Sequence, residues 1–385
     1  ENERRLRQLH EMMGDLGFSW DKGAARRGGV VDAIDPGMQG RIAEWRKPGL
    51  NIMMSEKSEA KPVSFVEDCA VELSDLAEYT DQLTQIFEKY GTTGTWYAHA
   101  SVGCLHVRPV LNMKRGEDVA AMRGIAEEAF ALVKRYGGSH SGEHGDGIAR
   151  SEFNTVMFGS EMARLFTDVK RMFDPENIMN PGKITNAPKM DDRHLFRFAP
   201  GYKVDSFPTK LNWSAWPEAA GGLQGAVEMC NNNGSCRKLD GGVMCPSFRV
   251  TKDEKDSTRG RANSLRLALS GQLGKDALIS EKMHDTMKLC VSCKACKREC
   301  PTGVDMSKMK IEISTLRANK FGLDLRSKLV AFLPYYAPIA SKLALIMNLR
   351  DKLPGLAKLS EIFLGFTSKR PLPVSYTHLR AHETV

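Results

Sequence analysis

Apolar positions recur at helical spacing in two stretches of the first half of the chain. Leu76, Tyr79, Leu83, Ile86 and Phe87 share one face of a helix predicted from Ser74 to Tyr90 and closed by Gly91. Val119, Met122, Ala126, Ala129, Phe130 and Val133 do the same over Glu117 to Tyr136, with Gly137 where a helix-ending glycine stands. Elsewhere the pattern is that of strands. The β-prone run Val63-Ser64-Phe65-Val66 predicts a strand within Pro62 to Glu67, and Thr95 to Leu111 predicts an extended segment. Strand, helix, strand, helix of this length predicts an α+β layer with helices over one sheet face. A further helix is expected from Ser160 to Phe173, stopped by Asp174-Pro175, and Asn177 to Lys183 reads as a tight turn.

Downstream the composition divides the chain. Residues 1–195 form the first predicted domain, and a Pro- and Trp-containing connection occupies 196–225. A cysteine-rich helical domain follows at 226–320, then a helical segment at 321–373. Residues 374–385 lack periodicity and read as a non-native tail. The chain begins as though cut from something longer. The most apolar stretch, Leu329 to Leu349, is interrupted by Pro334, Pro338, Lys342 and Asn348, which argues against a spanning helix.

At 385 residues and 42% hydrophobic content the chain is long enough for two or three packed cores. Its net charge of +8 is not gathered into one basic run, which suits an acidic partner or a peripheral membrane face, and nothing resembles a nucleic-acid motif. Seven of the nine cysteines lie between 230 and 300, so the compartment is read as reducing and cytoplasmic, with thiols that bind metal.

Three stretches carry candidate chemistry. The loop Gly137 to Gly147 holds five glycines, with Glu143, His144 and Asp146 among them, so a helix delivers an acid, an imidazole and a tightly turning backbone to one place. His99 and His106 stand seven apart, which in a regular strand puts them on opposite faces; they converge only if Gly103 allows a bulge or turn. With Glu143 they would then suit a divalent ion, although spacing alone favours two separately packed histidines. The third stretch is Cys290-Val-Ser-Cys293-Lys-Ala-Cys296-Lys-Arg-Glu-Cys300-Pro301, the spacing of a 4Fe-4S ligand run whose fourth cysteine serves a second cluster. Cys230, Cys236 and Cys245-Pro246 look like its degenerate partner, with Asn233 in the place of a cysteine. Crossed ligation would give one full set, Cys245, Cys290, Cys293 and Cys296. The other set, Cys230, Cys236 and Cys300, could hold a three-iron cluster, recruit Asn233 or water, or stay empty.

Ser141-Gly142-Glu143-His144-Gly145, the His99 to His106 segment and Phe173 to Lys183 resemble the C-terminal half of FAD-linked oxidases of the vanillyl-alcohol oxidase superfamily, in the D-2-hydroxy acid dehydrogenase branch. With the cysteine region and Ser257-Thr-Arg-Gly-Arg261, the chain is most similar to bacterial D-2-hydroxyglutarate dehydrogenase-like proteins that fuse a flavin domain to a ferredoxin domain. The resemblance implies a ferredoxin-like FAD-linked oxidase C-terminal domain followed by a mostly α-helical iron–sulfur domain. It implies that His99, His106 and Glu143 bind a divalent metal, with zinc expected, and that His144 is the general base. Arg46 and Lys61 would hold substrate carboxylates, and Asn180 with Gly142, Glu143 and Gly145 would line the FAD.

The implied activity is oxidation of a D-2-hydroxy acid, D-2-hydroxyglutarate ahead of D-lactate and glycolate. Electrons would pass from FAD through a 4Fe-4S cluster to a quinone, a flavoprotein or another carrier, in a protein that is cytoplasmic or peripheral at the inner face of the membrane and open to homo-oligomerisation. An oxidase of the alkyl-glycerol-phosphate or aldonolactone type is disfavoured by the cysteines, and an iron–sulfur electron-transfer subunit without catalysis is disfavoured by the histidines. Departures from the family pattern are Ser101-Val102-Gly103-Cys104 before the second histidine, Leu50 where some relatives place a hydroxyl residue, and the absence of the FAD-binding half upstream of residue 1.

Overall fold

A computed structural model describes residues 1–204, 208–216 and 222–371, so the tail expected at 374–385 lies outside the described residues. Both amphipathic helices form where the apolar spacing places them, α1 at Leu76–Lys89 and α2 at Gly116–Arg135. Their apolar faces pack on a sheet of four short strands, β1 (Lys61–Pro62), β2 (Cys69–Ala70), β3 (Gly94–His99) and β4 (Cys104–Leu111). All pairings are antiparallel: β4 runs between β1 and β2 and also pairs with β3. Helices over one face of a sheet make the α+β layer predicted above.

The sheet differs from expectation in two places. The run Val63 to Val66 is not a strand: the pairing ends as the Val63 N–H donates to Pro109 O at 2.8 Å. Phe65 and Val66 instead turn inward, at 2% and 0% exposure, and fill the core with α1 and α2. Burial rather than ladder pairing uses their β-prone side chains. The segment Thr95 to Leu111 is a hairpin and not one extended strand, because a 3₁₀ turn at Ala100–Val102 and Gly103, at φ +70°, reverse the chain.

Helix α3 (Ser160–Phe173) buries none of its residues, and its end leaves Met172 and Phe173 strongly exposed. Past the connection, α4 (Leu223–Glu228), α5 (Pro246–Thr251), α6 (Thr258–Leu269) and α7 (Ala295–Glu299) carry the cysteine region. The chain divides into two units, Glu1–Lys275 with Thr286–Met309, and Asp276–Asp285 with Lys310–Val385. The first holds everything so far described; the second is helical, with four short helices over 325–364. Among the described residues no helix is long and apolar enough to cross a membrane.

At Gly103 a Cβ would fall 1.9 Å from Val71 O, whereas at Gly91, at nearly the same φ of +68°, it would meet nothing within 4 Å. Gly91→Ala is therefore expected to cost about 1–2 kcal/mol for the left-handed backbone alone. Gly103→Ala carries that cost plus the clash, so its denaturation midpoint should fall well below that of Gly91→Ala. Equal midpoints would refute the close approach.

Candidate active site and cysteine centres

The hairpin reversal decides where the histidines go. His99 pairs with Cys104 and Tyr97 with His106, so the four side chains share one face of β3 and β4, with His99 and His106 as diagonal neighbours. Their ring centroids are 5.0 Å apart, and Tyr97 lies 4.8 Å from His106. Arg108 continues the same face, while Leu105 and Val107 point into the core. The condition set by spacing, a turn at Gly103, is met.

The glycine loop reaches this face from α2. Gly137 closes the helix at φ +64°, and Gly138 then passes so near β2 that a Cβ would lie 2.3 Å from Ala70 O. Ser139 and Ala70 exchange both backbone hydrogen bonds at 2.9 Å, and the Gly142 N–H donates to Asp68 O at 2.7 Å. Asp68 next takes the loop over with its side chain. Its fully buried carboxylate accepts the N–H groups of Glu143, at 2.9 and 3.0 Å, and of His144, at 2.8 Å. Burial opposes the charge, but these N–H groups and the neighbouring His144 and Arg150 outweigh it and hold the carboxyl below its ordinary range. Sequence reasoning missed Asp68, since nothing in Glu67-Asp68 marks one carboxylate as the loop's acceptor.

Held in this way, Glu143 becomes the convergence point. Its Oε1 lies 3.2 Å from His99 Nε2, 3.1 Å from His106 Nε2 and 3.6 Å from His144 Nε2. Ligands about 2.0–2.1 Å from a tetrahedral ion stand about 3.3 Å from one another, close to the separations of His99 Nε2 and of His106 Nε2 from Glu143 Oε1. Asp68, His106, Glu143 and His144 also bring donor atoms within 4.8 Å of one another, but the Asp68 oxygens are engaged by backbone N–H groups. Burial, helped by His144, pushes the His106 pKa down and favours the neutral imidazole that binds metals. The His144 ring stacks on His106 at 4.8 Å, and its Nδ1 lies 3.4 Å from Glu67 Oε1. Arg108, itself buried, pairs with the other Glu67 oxygen.

Two cavities adjoin this group. One, about 490 Å³, is lined by Lys61, Glu67, Arg108 and Lys114 from the first half of the chain and by Glu228 and Met229 from the cysteine region. Lys61 Nζ sits 3.6 Å from Met229 Sδ, and burial lowers its pKa. Arg108 is 4% exposed, and its Nη1 has no hydrogen-bond partner. Arg46, by contrast, is exposed at the end of the helix Pro36–Arg46 and does not line this cavity, whereas Leu50 does. The second cavity, about 530 Å³ and more open, brings His144 and Gly145 together with Asn180, which is held at φ +48° in the turn after α3. Gly142 lies outside it, against Asp68 and Cys104.

The cysteines of the 230–300 region fall into two neighbourhoods. Cys245, Cys290, Cys293 and Cys296 line a single cleft. Cys230 is close enough to Cys236 and Cys300 for their charges to act on it. Burial raises the Cys230 and Cys236 pKa values and pushes Cys296 up to about 11. Asn233 is exposed and bonds to Asn231.

Residues 2–184 match the family of FAD linked oxidases, C-terminal domain, and residues 226–304 match the 4Fe-4S dicluster domain. The chain is 31% identical over 361 residues to a D-2-hydroxyglutarate dehydrogenase of Escherichia coli, covering 84% of this chain and 35% of that protein. It is 28% identical over 131 residues to the glycolate oxidase subunit GlcD of Bacillus subtilis, 34% of this chain and 28% of that one. With a D-lactate dehydrogenase of Archaeoglobus fulgidus the identity is 32% over 124 residues, 32% of this chain and 27% of that one. The chain thus spans about a third of the length of the D-2-hydroxyglutarate dehydrogenases it matches.

Asp68→Ala removes the acceptor of two part-buried N–H groups, so the amides of Glu143 and His144 should exchange with solvent markedly faster than in the wild type. Unchanged protection would rule out Asp68 as the loop's anchor. A second prediction concerns pH. The Lys170 ammonium and the N–H groups of Ile178 and Met179 hold the Asp174 carboxyl below the ordinary carboxylate range. A depressed folded-state pKa stabilises fully above the unfolded value of about 3.9 and is lost as pH falls through the lower one. Amide protection of the 177–180 turn should collapse in that acid window, and Asp174→Asn should remove the pH dependence.

Proposed function

We propose, for a chain that belongs to the FAD linked oxidases through residues 2–184 and carries a 4Fe-4S dicluster domain over 226–304, that it is the substrate-handling and electron-exit portion of a flavin-dependent D-2-hydroxy acid dehydrogenase. D-2-hydroxyglutarate is the favoured substrate, ahead of D-lactate and glycolate, in line with the names of the relatives. The observation that carries this is the convergence of three imidazoles on Glu143, between one cavity lined by the buried Arg108 with half-buried Lys61 and Lys114 and another that brings His144 and Asn180 together.

His144 is the base. Glu67 accepts from Nδ1, which keeps the proton there and leaves the Nε2 lone pair free for the substrate hydroxyl. His99, His106 and Glu143 hold a divalent ion, zinc by its ligand set, which when bound makes the hydroxyl easier to deprotonate. Lys61 takes a substrate carboxylate in the cavity it shares with Arg108, whose unpaired Nη1 adds a buried donor there. Arg46 has a part only if its helix comes closer on binding. On the other side, His144, Gly145 and Asn180 would hold the FAD, which when bound would supply the acceptor for the substrate's hydride. Cys245, Cys290, Cys293 and Cys296 would hold a 4Fe-4S cluster, which when bound would supply one-electron transfer to an external carrier.

In the intact FAD-containing protein kept free of oxygen, D-2-hydroxyglutarate should bleach the flavin. His144→Gln should slow that bleaching about 10²- to 10⁴-fold while metal content stays unchanged. Glu67→Gln should lower kcat with little change in KM, since Glu67 acts through His144. Flavin that no D-2-hydroxy acid reduces, with FAD and iron both present, would leave only the electron-transfer subunit.

A further inference from the structure

The motif Ser257-Thr-Arg-Gly-Arg261 has no part in the dehydrogenase chemistry above, yet its local geometry is tightly determined. Ser257 caps α6 by accepting the Gly260 N–H at 2.9 Å. Gly260 lets the helix start press on the preceding turn, since a Cβ there would fall 1.9 Å from Glu254 O. The first turn of α6 then touches both cysteine sets. The Arg259 N–H donates to Cys236 Sγ at 3.3 Å, and the Arg261 guanidinium reaches Cys245 Sγ through Nη1 at 3.6 Å.

Arg261 is the largest fully buried side chain among the described residues. Its Nε donates to Thr286 O at 2.8 Å, Nη1 to Asp256 O at 2.6 Å, and Nη2 to Ser247 Oγ at 3.1 Å. Its formal counter-charge is Asp256, 1% exposed, with Oδ1 3.4 Å from Nη2 and Oδ2 without a hydrogen-bond partner. A guanidinium cannot shed its proton, so burial here fixes a permanent positive charge in a low-dielectric site. Within the ion pair, Nη1 is the end directed at the Cys245 sulfur, and Arg261 lines the cleft of Cys245, Cys290, Cys293 and Cys296. Tying backbone together would need only the carbonyl contacts; the contact with a cluster-ligand sulfur is additional.

We propose that Arg261 sets the reduction potential of the cluster held by Cys245, Cys290, Cys293 and Cys296, raising it by placing a desolvated positive charge and an N–H donor against the Cys245 sulfur. This rests on the 4Fe-4S assignment of residues 226–304. Uptake of one electron adds a negative charge beside the guanidinium, so Arg261 favours the reduced form. Asp256 works in the opposite sense, and the potential should respond to the two residues with opposite signs.

The test is an anaerobic redox titration with dithionite, followed by EPR, on the chain reconstituted with iron and sulfide. Arg261→Gln should lower the potential by at least a tenfold change in the oxidised-to-reduced ratio, about 59 mV for one electron. Asp256→Asn should raise it, and Arg261→Lys, which keeps the charge, should stay within threefold of wild type. The signal from the Cys230, Cys236 and Cys300 set, where present, should move less. Loaded clusters with unchanged potentials in Arg261→Gln and Asp256→Asn would overturn the proposal and leave Arg261 a structural tie. If Arg261→Gln takes up no cluster, Asp256→Asn decides alone: a higher potential supports the proposal and an unchanged one overturns it. Absence of iron and acid-labile sulfide from wild type would instead overturn the cluster assignment, and the proposal with it.

Discussion

Everything at the candidate site hangs on the buried carboxylate of Asp68 and the backbone around it. The Asp68 N–H donates to Leu105 O on the strand that carries His106, at 2.7 Å, and its carbonyl accepts from Gly142 at the same distance. Its carboxylate accepts from Glu143 and His144. One residue thus fastens the histidine hairpin to the glycine loop, using charge-assisted hydrogen bonds that are worth about twice as much as neutral ones. Arg150 braces the same point, with Nη1 3.7 Å from the carboxylate and donor contacts to Glu67 O and Gly145 O. The left-handed backbone of Asp68, at φ +77°, is one that Asp adopts more readily than most side chains.

Much of this half of the chain was legible in the sequence because its signals are local. Helices α1 and α2 followed from apolar spacing, and Gly137 from its place after the last apolar turn. Glu143 and His144 stood out because glycines flank them. Features that depend on distant partners were not legible. Phe65 and Val66 carry the composition of a strand but are claimed by the core, and Asp68 gains its role only from residues 75 and 76 positions away. His99 and His106 fall between: their spacing argued against a shared face, and a three-residue turn that no periodicity reveals puts them on one.

The cysteine region follows the same division. That Cys245 lies in one cleft with Cys290, Cys293 and Cys296 was readable because ligand spacing is dictated by the shape of a cubane. Which other charge reaches those sulfurs was not, since Arg261 looks like any arginine in a charged helix start until its burial is seen. The same burial separates it from Lys294, Lys297 and Arg298, which sit beside the cysteines in sequence yet are exposed. Proximity along the chain is therefore a poor guide to which cation a buried sulfur feels, because water screens the exposed ones and not the buried one.

These two halves share a wall. The cavity that holds Lys61 and Arg108 is completed by Gly225, Glu228, Met229 and Asn231, and the last two flank Cys230 directly. Lys114 ties the halves electrostatically, pairing with Glu59 at 3.0 Å and with Glu228 at 2.6 Å, while Arg197 donates to Cys230 O at 2.7 Å. Removing the cysteine region would therefore uncover Lys61 and leave Lys114 with half its counter-charge. The start of the iron–sulfur segment is part of the cavity that the hydroxy acid is proposed to enter.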